Sequence, residues 1–153
     1  MGSNLGNRNL NLLKACSGLE KLSRIVLRSP IYASKAWNAP GPDYLNQVLG
    51  LHTNLNSRKL LQLLLNVEIF LGRVRKEKNE PRLIDIDLLY HGQEIIQENT
   101  LELPHPRIPE RIFVLRPMTD IAPNFKHPIL GKTQKELLES CNSYQHIAVH
   151  TET

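Results

Sequence analysis

The segment Leu83-Ile84-Asp85-Ile86-Asp87-Leu88-Leu89-Tyr90 constrains the chain more than any other. Its apolar and acidic residues alternate with period two, the period of a strand whose successive side chains point to opposite faces. Ile84, Ile86 and Leu88 then lie against a core, while Asp85 and Asp87 share the other face. Such a strand needs an apolar cover. The clearest amphipathic helix runs from Ser57 to Gly72, with Ser57 as a cap, Leu60, Leu64, Val67 and Leu71 as its stripe, and Gly72 as its stop.

Other elements follow from periodicity. Asn7 to Leu22 reads as a first helix, with Leu10, Leu13, Cys16 and Leu19 recurring, Ser3 or Asn4 near its start, and Gly18 weakening its last turn. Arg24 to Tyr32 alternates as a half-buried strand in which Pro30 favours an edge position. Residues 34–42 form a proline-broken loop, and Tyr44 to Thr53 is a second strand. Ile95 and Ile96 start a short return strand after the His91-Gly92 turn, and short helices are expected at Glu110–Leu115 and Gln134–Ser140. Strands alternating with helices in this order predict an α+β domain, with helices covering one face of an antiparallel sheet. The other face is left for a site.

Size and composition narrow the class. At 153 residues and 17.5 kDa the chain makes one domain with a core that needs no disulfide or metal. We divide it into a main domain over 1–141 and a C-terminal tail over 142–153. Two cysteines, Cys16 and Cys141, lack metal-ligand spacing, which points to a cytoplasmic setting rather than a disulfide scaffold. The longest nearly apolar run, Leu60 to Leu65, is far below the roughly 18 residues of a membrane span, and the N-terminus lacks a signal peptide's apolar core. Nineteen basic against fifteen acidic residues give a net charge of +4, too modest to identify a nucleic-acid partner.

The placement of those charges says more. Two carboxylates on one strand face repel each other unless a divalent cation or nearby arginines compensate, and hard oxygen donors favour Mg²⁺ or Mn²⁺. On spacing alone, a solvent-facing edge strand explains the pair better. Immediately before it stand Arg73, Arg75, Lys76, Lys78 and Arg82, groups suited to phosphate oxygens. Carboxylates for a cation beside a basic loop for phosphates suit a nucleotide triphosphate with its metal; a solvated charged loop and nucleic-acid phosphates are the alternatives. The Walker pattern GxxxxGK[ST] is absent. Tyr44, Asn46, Trp37 and Phe113 offer stacking surfaces and an amide for a flat heterocycle, although each alone reads better as a packing residue.

Pro81-Arg82-Leu83-Ile84-Asp85-Ile86-Asp87-Leu88-Leu89, with Gly2-Ser3-Asn4-Leu5-Gly6, Asp43-Tyr44-Leu45-Asn46 and Leu103-Pro104-His105-Pro106 in the same order, resembles the 6-hydroxymethyl-7,8-dihydropterin pyrophosphokinase family from Gly2 to about Pro123. The resemblance implies a ferredoxin-like antiparallel sheet and pyrophosphoryl transfer from ATP to a pterin alcohol in folate biosynthesis, releasing AMP. Asp85 and Asp87 then correspond to ligands of two Mg²⁺ ions, and Arg73, Arg82 and Lys76 to catalytic cations at the phosphates. Glu68, Arg75, Leu88, His105 and Arg111 match nucleotide-side positions. Ser34, Lys35, Trp37, Tyr44, Asn46 and Phe113 match the pterin side, with the ring between Tyr44 and Phe113 and Asn46 on its polar edge. A cytoplasmic monomer coupled functionally to other folate enzymes, without nucleic-acid or membrane partners, is implied. A nucleotide phosphotransferase with another acceptor and a basic RNA-binding domain are the competing classes.

The chain departs from the common bacterial pattern in places. Lys78, Asn79 and Glu80 stand where arginine, tryptophan and glycine usually precede Pro81, and Pro106 replaces a frequent aromatic. Lys35 and Trp37 replace a proline and a smaller apolar residue. The family also has a β-strand immediately before Gly2, of which this chain carries only Met1. The expectation is a sheet lacking most of its usual first strand, through a truncated or misassigned start, and weakly stable unless another segment fills the gap.

Overall fold

The computed structural model describes residues 1–21, 23–36, 41–72 and 82–151. The fold is α+β, with every strand pairing antiparallel. At its centre stands β1 (Gly2–Ser3), which pairs with β4 (Tyr44–Asn46); β4 pairs with β3 (Tyr32–Ser34), and β3 with β8 (Ile147–Val149). On its other side β1 meets the aspartate segment, where Gly2 and Asp85 exchange both backbone hydrogen bonds at 2.8 Å. Two further ribbons complete the set, β2 (Arg24–Arg28) with β5 (Leu49–His52) and β6 (Ile96–Glu98) with β7 (Leu101–Leu103).

The main core lies between this sheet and two helices on one face, α1 (Arg8–Glu20) and α2 (Ser57–Phe70). Leu12, Ala15 and Leu19 of α1 and Leu60, Leu64 and Val67 of α2 close over Leu45, Ile84 and Ile86. Neither cap is the expected residue: Asn7, three residues after Asn4, caps α1 by accepting from Leu10, and Asn56, one before Ser57, caps α2 by accepting from Lys59. In α1 the buried stripe is Leu12, Ala15, Cys16 and Leu19, while Leu10 and Leu13 are exposed. Gly18, instead of weakening the last turn, lets the helices approach: a Cβ there would stand 3.1 Å from Val67 Cγ1.

Each long expected strand is split. Pro30 divides 24–32 into β2 and β3, and β2 is an edge strand with a bulge between Ile25 and Leu27 that leaves Val26 and Leu27 exposed. Residues 44–53 divide at Gln47 and Val48, where Ser29 takes over the pairing: its backbone N–H donates to Val48 O and its Oγ accepts from Val48 N, both at 3.0 Å. Leu83 to Tyr90 keeps the predicted alternation, Ile84 and Ile86 buried and Asp87 exposed, but pairs as strand only at Asp85. A second core collects Val48, Ile108, Leu137 and the buried face of α3 (Ile112–Ile121), with α4 (Gln134–Glu139) beside it. A cavity of about 390 Å³ lies between β5 and residues 86–92, next to Met1.

Candidate active site

The site grows from the place where β1 touches both β4 and the aspartate segment. Ile84 and Ile86 are drawn into the main core, which turns Asp85 and Asp87 to the opposite face. Side chains from β3, β4, α3 and the chain just before β8 complete a cavity of about 150 Å³ there. It brings together nine of the residues singled out in the sequence: Ser34, Lys35, Tyr44, Asn46, Arg82, Asp85, Asp87, Arg111 and Phe113.

The wall is acidic and basic in matched pairs. Arg82 Nη1 donates to Asp85 Oδ2 at 2.8 Å, and Arg111 Nη1 to Asp87 Oδ2 at 3.1 Å. Arg82 is held from behind by the buried Asn4, whose Oδ1 accepts from Arg82 N at 2.7 Å and whose N–H donates to Arg82 O. The opposite wall is flat and amide-bearing. Asn46 Nδ2 donates to Ser34 Oγ at 2.8 Å, both residues buried, and Gly2 leaves the space in front of the Asn46 oxygen and the Tyr44 ring. Across the cavity the Arg111 guanidinium lies 5.6 Å from the centre of the Phe113 ring, a cation over an aromatic face. Lys35, on the rim, pairs with Asp43.

Three expected residues sit elsewhere. Glu68 is buried beneath the aspartate segment, its Oε1 accepting from Ile86 N at 2.6 Å, so it orients the backbone between the two carboxylates. Leu88 points the other way and lines the larger cavity. His105 follows the cis Leu103-Pro104 bond and donates its backbone N–H to Leu89 O, while its Nδ1 accepts from Arg107 N. Burial lowers the His105 pKa, with Arg111 and Arg107 adding to that and Asp87 and Glu102 opposing it. Trp37, Arg73, Arg75 and Lys76 lie outside the described residues.

Sequence reasoning missed Gly2, Arg107 and Gln145, all of which line the cavity. Gly2 stands in a motif quoted above, so its signal was present; Gln145 carried none. Two of the three buried side-chain polar atoms without a hydrogen-bond partner among the described residues, Arg111 Nε and Gln145 Oε1, belong to this cavity's lining.

The donor set suits a hard divalent cation. Two carboxylates stand on one face, no group of three or more His, Cys, Asp or Glu among the described residues competes for it, and two oxygens from the protein leave most of an octahedral shell for water and phosphate.

Known proteins resemble this chain over most of its length. The family model described as 7,8-dihydro-6-hydroxymethylpterin-pyrophosphokinase (HPPK) matches residues 1–123. The 2-amino-4-hydroxy-6-hydroxymethyldihydropteridine pyrophosphokinase of Synechocystis is 38% identical over 141 residues, 91% of this chain and 72% of that protein. The enzyme of the same name from Aquifex aeolicus is 40% identical over 89% of this chain and 86% of its own length. Folic acid synthesis protein FOL1 of Dictyostelium discoideum is 39% identical over 89% of this chain, which spans only 21% of that longer protein.

Proposed function

The chain belongs to the 7,8-dihydro-6-hydroxymethylpterin-pyrophosphokinase family, and from that premise we propose how its cavity divides the work. The enzyme transfers pyrophosphate from ATP to a pterin in folate biosynthesis, and its family uses Mg²⁺.

Asp85 and Asp87 would hold the metal, as two ions. Bound Mg²⁺ supplies neutralisation of phosphate charge and alignment of donor with acceptor. Arg82 and Arg111, already resting on the two carboxylates, are the cations at hand for phosphate oxygens, and Arg82 stabilises charge that develops during transfer. Glu68 keeps the segment between the carboxylates in register, and His105 and Leu88 support the nucleotide side from behind it. Arg73, Arg75 and Lys76 complete the cationic set.

On the other wall Tyr44 and Phe113 sandwich the pterin, Asn46 reads its polar edge, and Ser34 and Lys35 border it; the resemblance assigns Trp37 to the pterin as well. The acceptor hydroxyl attacks the β phosphorus and AMP leaves. Geometry does much of this work, since a donor and acceptor held in one small cavity need no further encounter. The observation that carries the reading is that one cavity joins both carboxylates to the aromatic and amide wall.

Two free thiols, Cys16 buried and Cys141 partly so, support a reducing, cytoplasmic setting, and among the described residues no helix is long and apolar enough to cross a membrane.

Asp85→Asn and Asp87→Asn test the division of labour. Each keeps the side chain's shape and removes its charge, so folding by circular dichroism stays unchanged while Mg²⁺-dependent AMP formation falls by about 100-fold or more. Variants with the parent's rate and Mg²⁺ dependence would remove these residues from the metal's role.

A further inference from the structure

Gln145 belongs to no element of the site as the sequence presents it, yet its side chain lines the cavity. The register of β8 explains how. Ser34 pairs with Ile147, so the chain two residues before that pair runs beside residue 36, along the rim of the aromatic wall. There the Gln145 amide nitrogen donates to Lys35 O, and its backbone N–H donates to Ser143 Oγ at 3.3 Å. Fixing the nitrogen on a carbonyl also fixes which way the carboxamide faces, because the oxygen must point away. That oxygen, Oε1, is buried and has no hydrogen-bond partner among the described residues.

A buried acceptor without a donor costs free energy, and one lining a ligand cavity is relieved when the ligand brings the donor. The phosphates of ATP carry only acceptors. The pterin carries donors, among them the 2-amino group that its chemical name records. We infer that Gln145 is a specificity-determining residue for the acceptor, its Oε1 accepting a hydrogen bond from the pterin edge that bears the 2-amino group, so that β8 and the chain before it form part of the pterin site. Asn46 offers the same chemistry from β4: its nitrogen is spent on Ser34 and its oxygen faces Gly2 at the cavity. Two amides, each tied by its nitrogen, thus present oxygens from two strands. The inference rests on placing the pterin in this cavity.

The test measures equilibrium binding of 6-hydroxymethyl-7,8-dihydropterin, of its analogue lacking the 2-amino group, and of ATP. The proteins are the parent, Gln145→Ala, Gln145→Leu and Asn46→Ala, with thermal midpoints recorded alongside. Gln145→Leu keeps the side chain's bulk, so β8 stays in place. Losing one neutral hydrogen bond weakens pterin binding about five- to tenfold in both Gln145 variants. ATP affinity stays within about twofold, and the deaminated analogue binds the parent and the Gln145 variants alike. Equal weakening of pterin and analogue in both Gln145 variants would make Gln145 a support for β8 and overturn the inference. Unchanged pterin binding in them, with weakened binding in Asn46→Ala, would overturn Gln145's role alone. Unchanged pterin binding in all three variants would overturn the placement of the pterin as well.

Discussion

Replacing Gly2 with alanine sets a methyl group against the wall assigned to the pterin. The alanine Cβ would stand 2.9 Å from Asn46 Oδ1 and 3.5 Å from Tyr44 Cδ1. A carbon and an oxygen ordinarily meet at about 3.3 Å or more, so the Asn46 oxygen must retreat by roughly 0.4 Å. Its amide nitrogen is held 2.8 Å from Ser34 Oγ, and the retreat stretches or breaks that bond. A neutral hydrogen bond contributes about 1 kcal/mol, which is close to a fivefold change in affinity. Reduced room beside Tyr44 adds to it. Pterin affinity should therefore fall about five- to tenfold. ATP affinity should hold within about twofold, since the methyl group points at β4 and the backbone bonds between Gly2 and Asp85 remain. Fluorescence titration with each ligand measures both. Unchanged pterin affinity, or equal loss for ATP, would refute the assignment of this wall.

Arg82→Ala should lower the single-turnover rate by about 100-fold while changing ATP affinity much less, because its contribution grows with charge developing on the phosphates; equal losses in both would assign Arg82 to ground-state binding. His127 is buried, and its Nδ1 accepts from the N–H groups of Ile129 and Leu130, an arrangement that needs the neutral ring; burial lowers its pKa. The unfolded chain protonates this histidine near its usual value of about 6.5 while the folded chain resists, so stability should fall as pH drops below that value. His127→Asn, which keeps an acceptor, should flatten part of that slope in denaturant midpoints from pH 7.5 to 5; an unaltered slope would refute the assignment. Thr133→Ala removes the α4 capping box, in which Thr133 Oγ1 accepts from Glu136 N and Glu136 Oε2 from Thr133 N, at a cost of about 1 kcal/mol. Calorimetry should show a melting point about 2–4 °C lower with AMP formation unchanged; a comparable fall in activity would mean that α4 reaches the site.

What could be read from the chain beforehand was local. The stripe of Leu60, Leu64 and Val67 is visible because a helix repeats every 3.6 residues whatever it packs against. The alternation of Ile84, Asp85, Ile86 and Asp87 likewise sorts carboxylates from core before any partner strand is known. Pairing is not local. Nothing in 44–53 says that Ser29 interrupts the ladder at Val48, since the interruption depends on a hydroxyl 19 residues away. In α1 both leucine sets have nearly helical spacing, and packing against α2 and the sheet, with Val67 across from Gly18, selects Leu12 and Leu19 for the core. The site divides the same way. Arg82 and Asp85 are three residues apart, and their pairing follows from proximity, whereas Arg111 reaches Asp87 across 24 residues. The motif resemblance supplied those longer links for Tyr44, Asn46 and Phe113. It stopped short of Gln145, which enters the cavity only because β8 pairs with β3.

Anomalous scattering from crystals grown with Mn²⁺, a non-hydrolysable ATP analogue and the pterin tests the central claim most directly. The account predicts metal peaks about 2.1 Å from the carboxylate oxygens of both Asp85 and Asp87, with the pterin ring between Tyr44 and Phe113 in the same cavity. Metal bound away from both carboxylates, with Asp85 and Asp87 still paired to Arg82 and Arg111 and the pterin lying elsewhere, would contradict it.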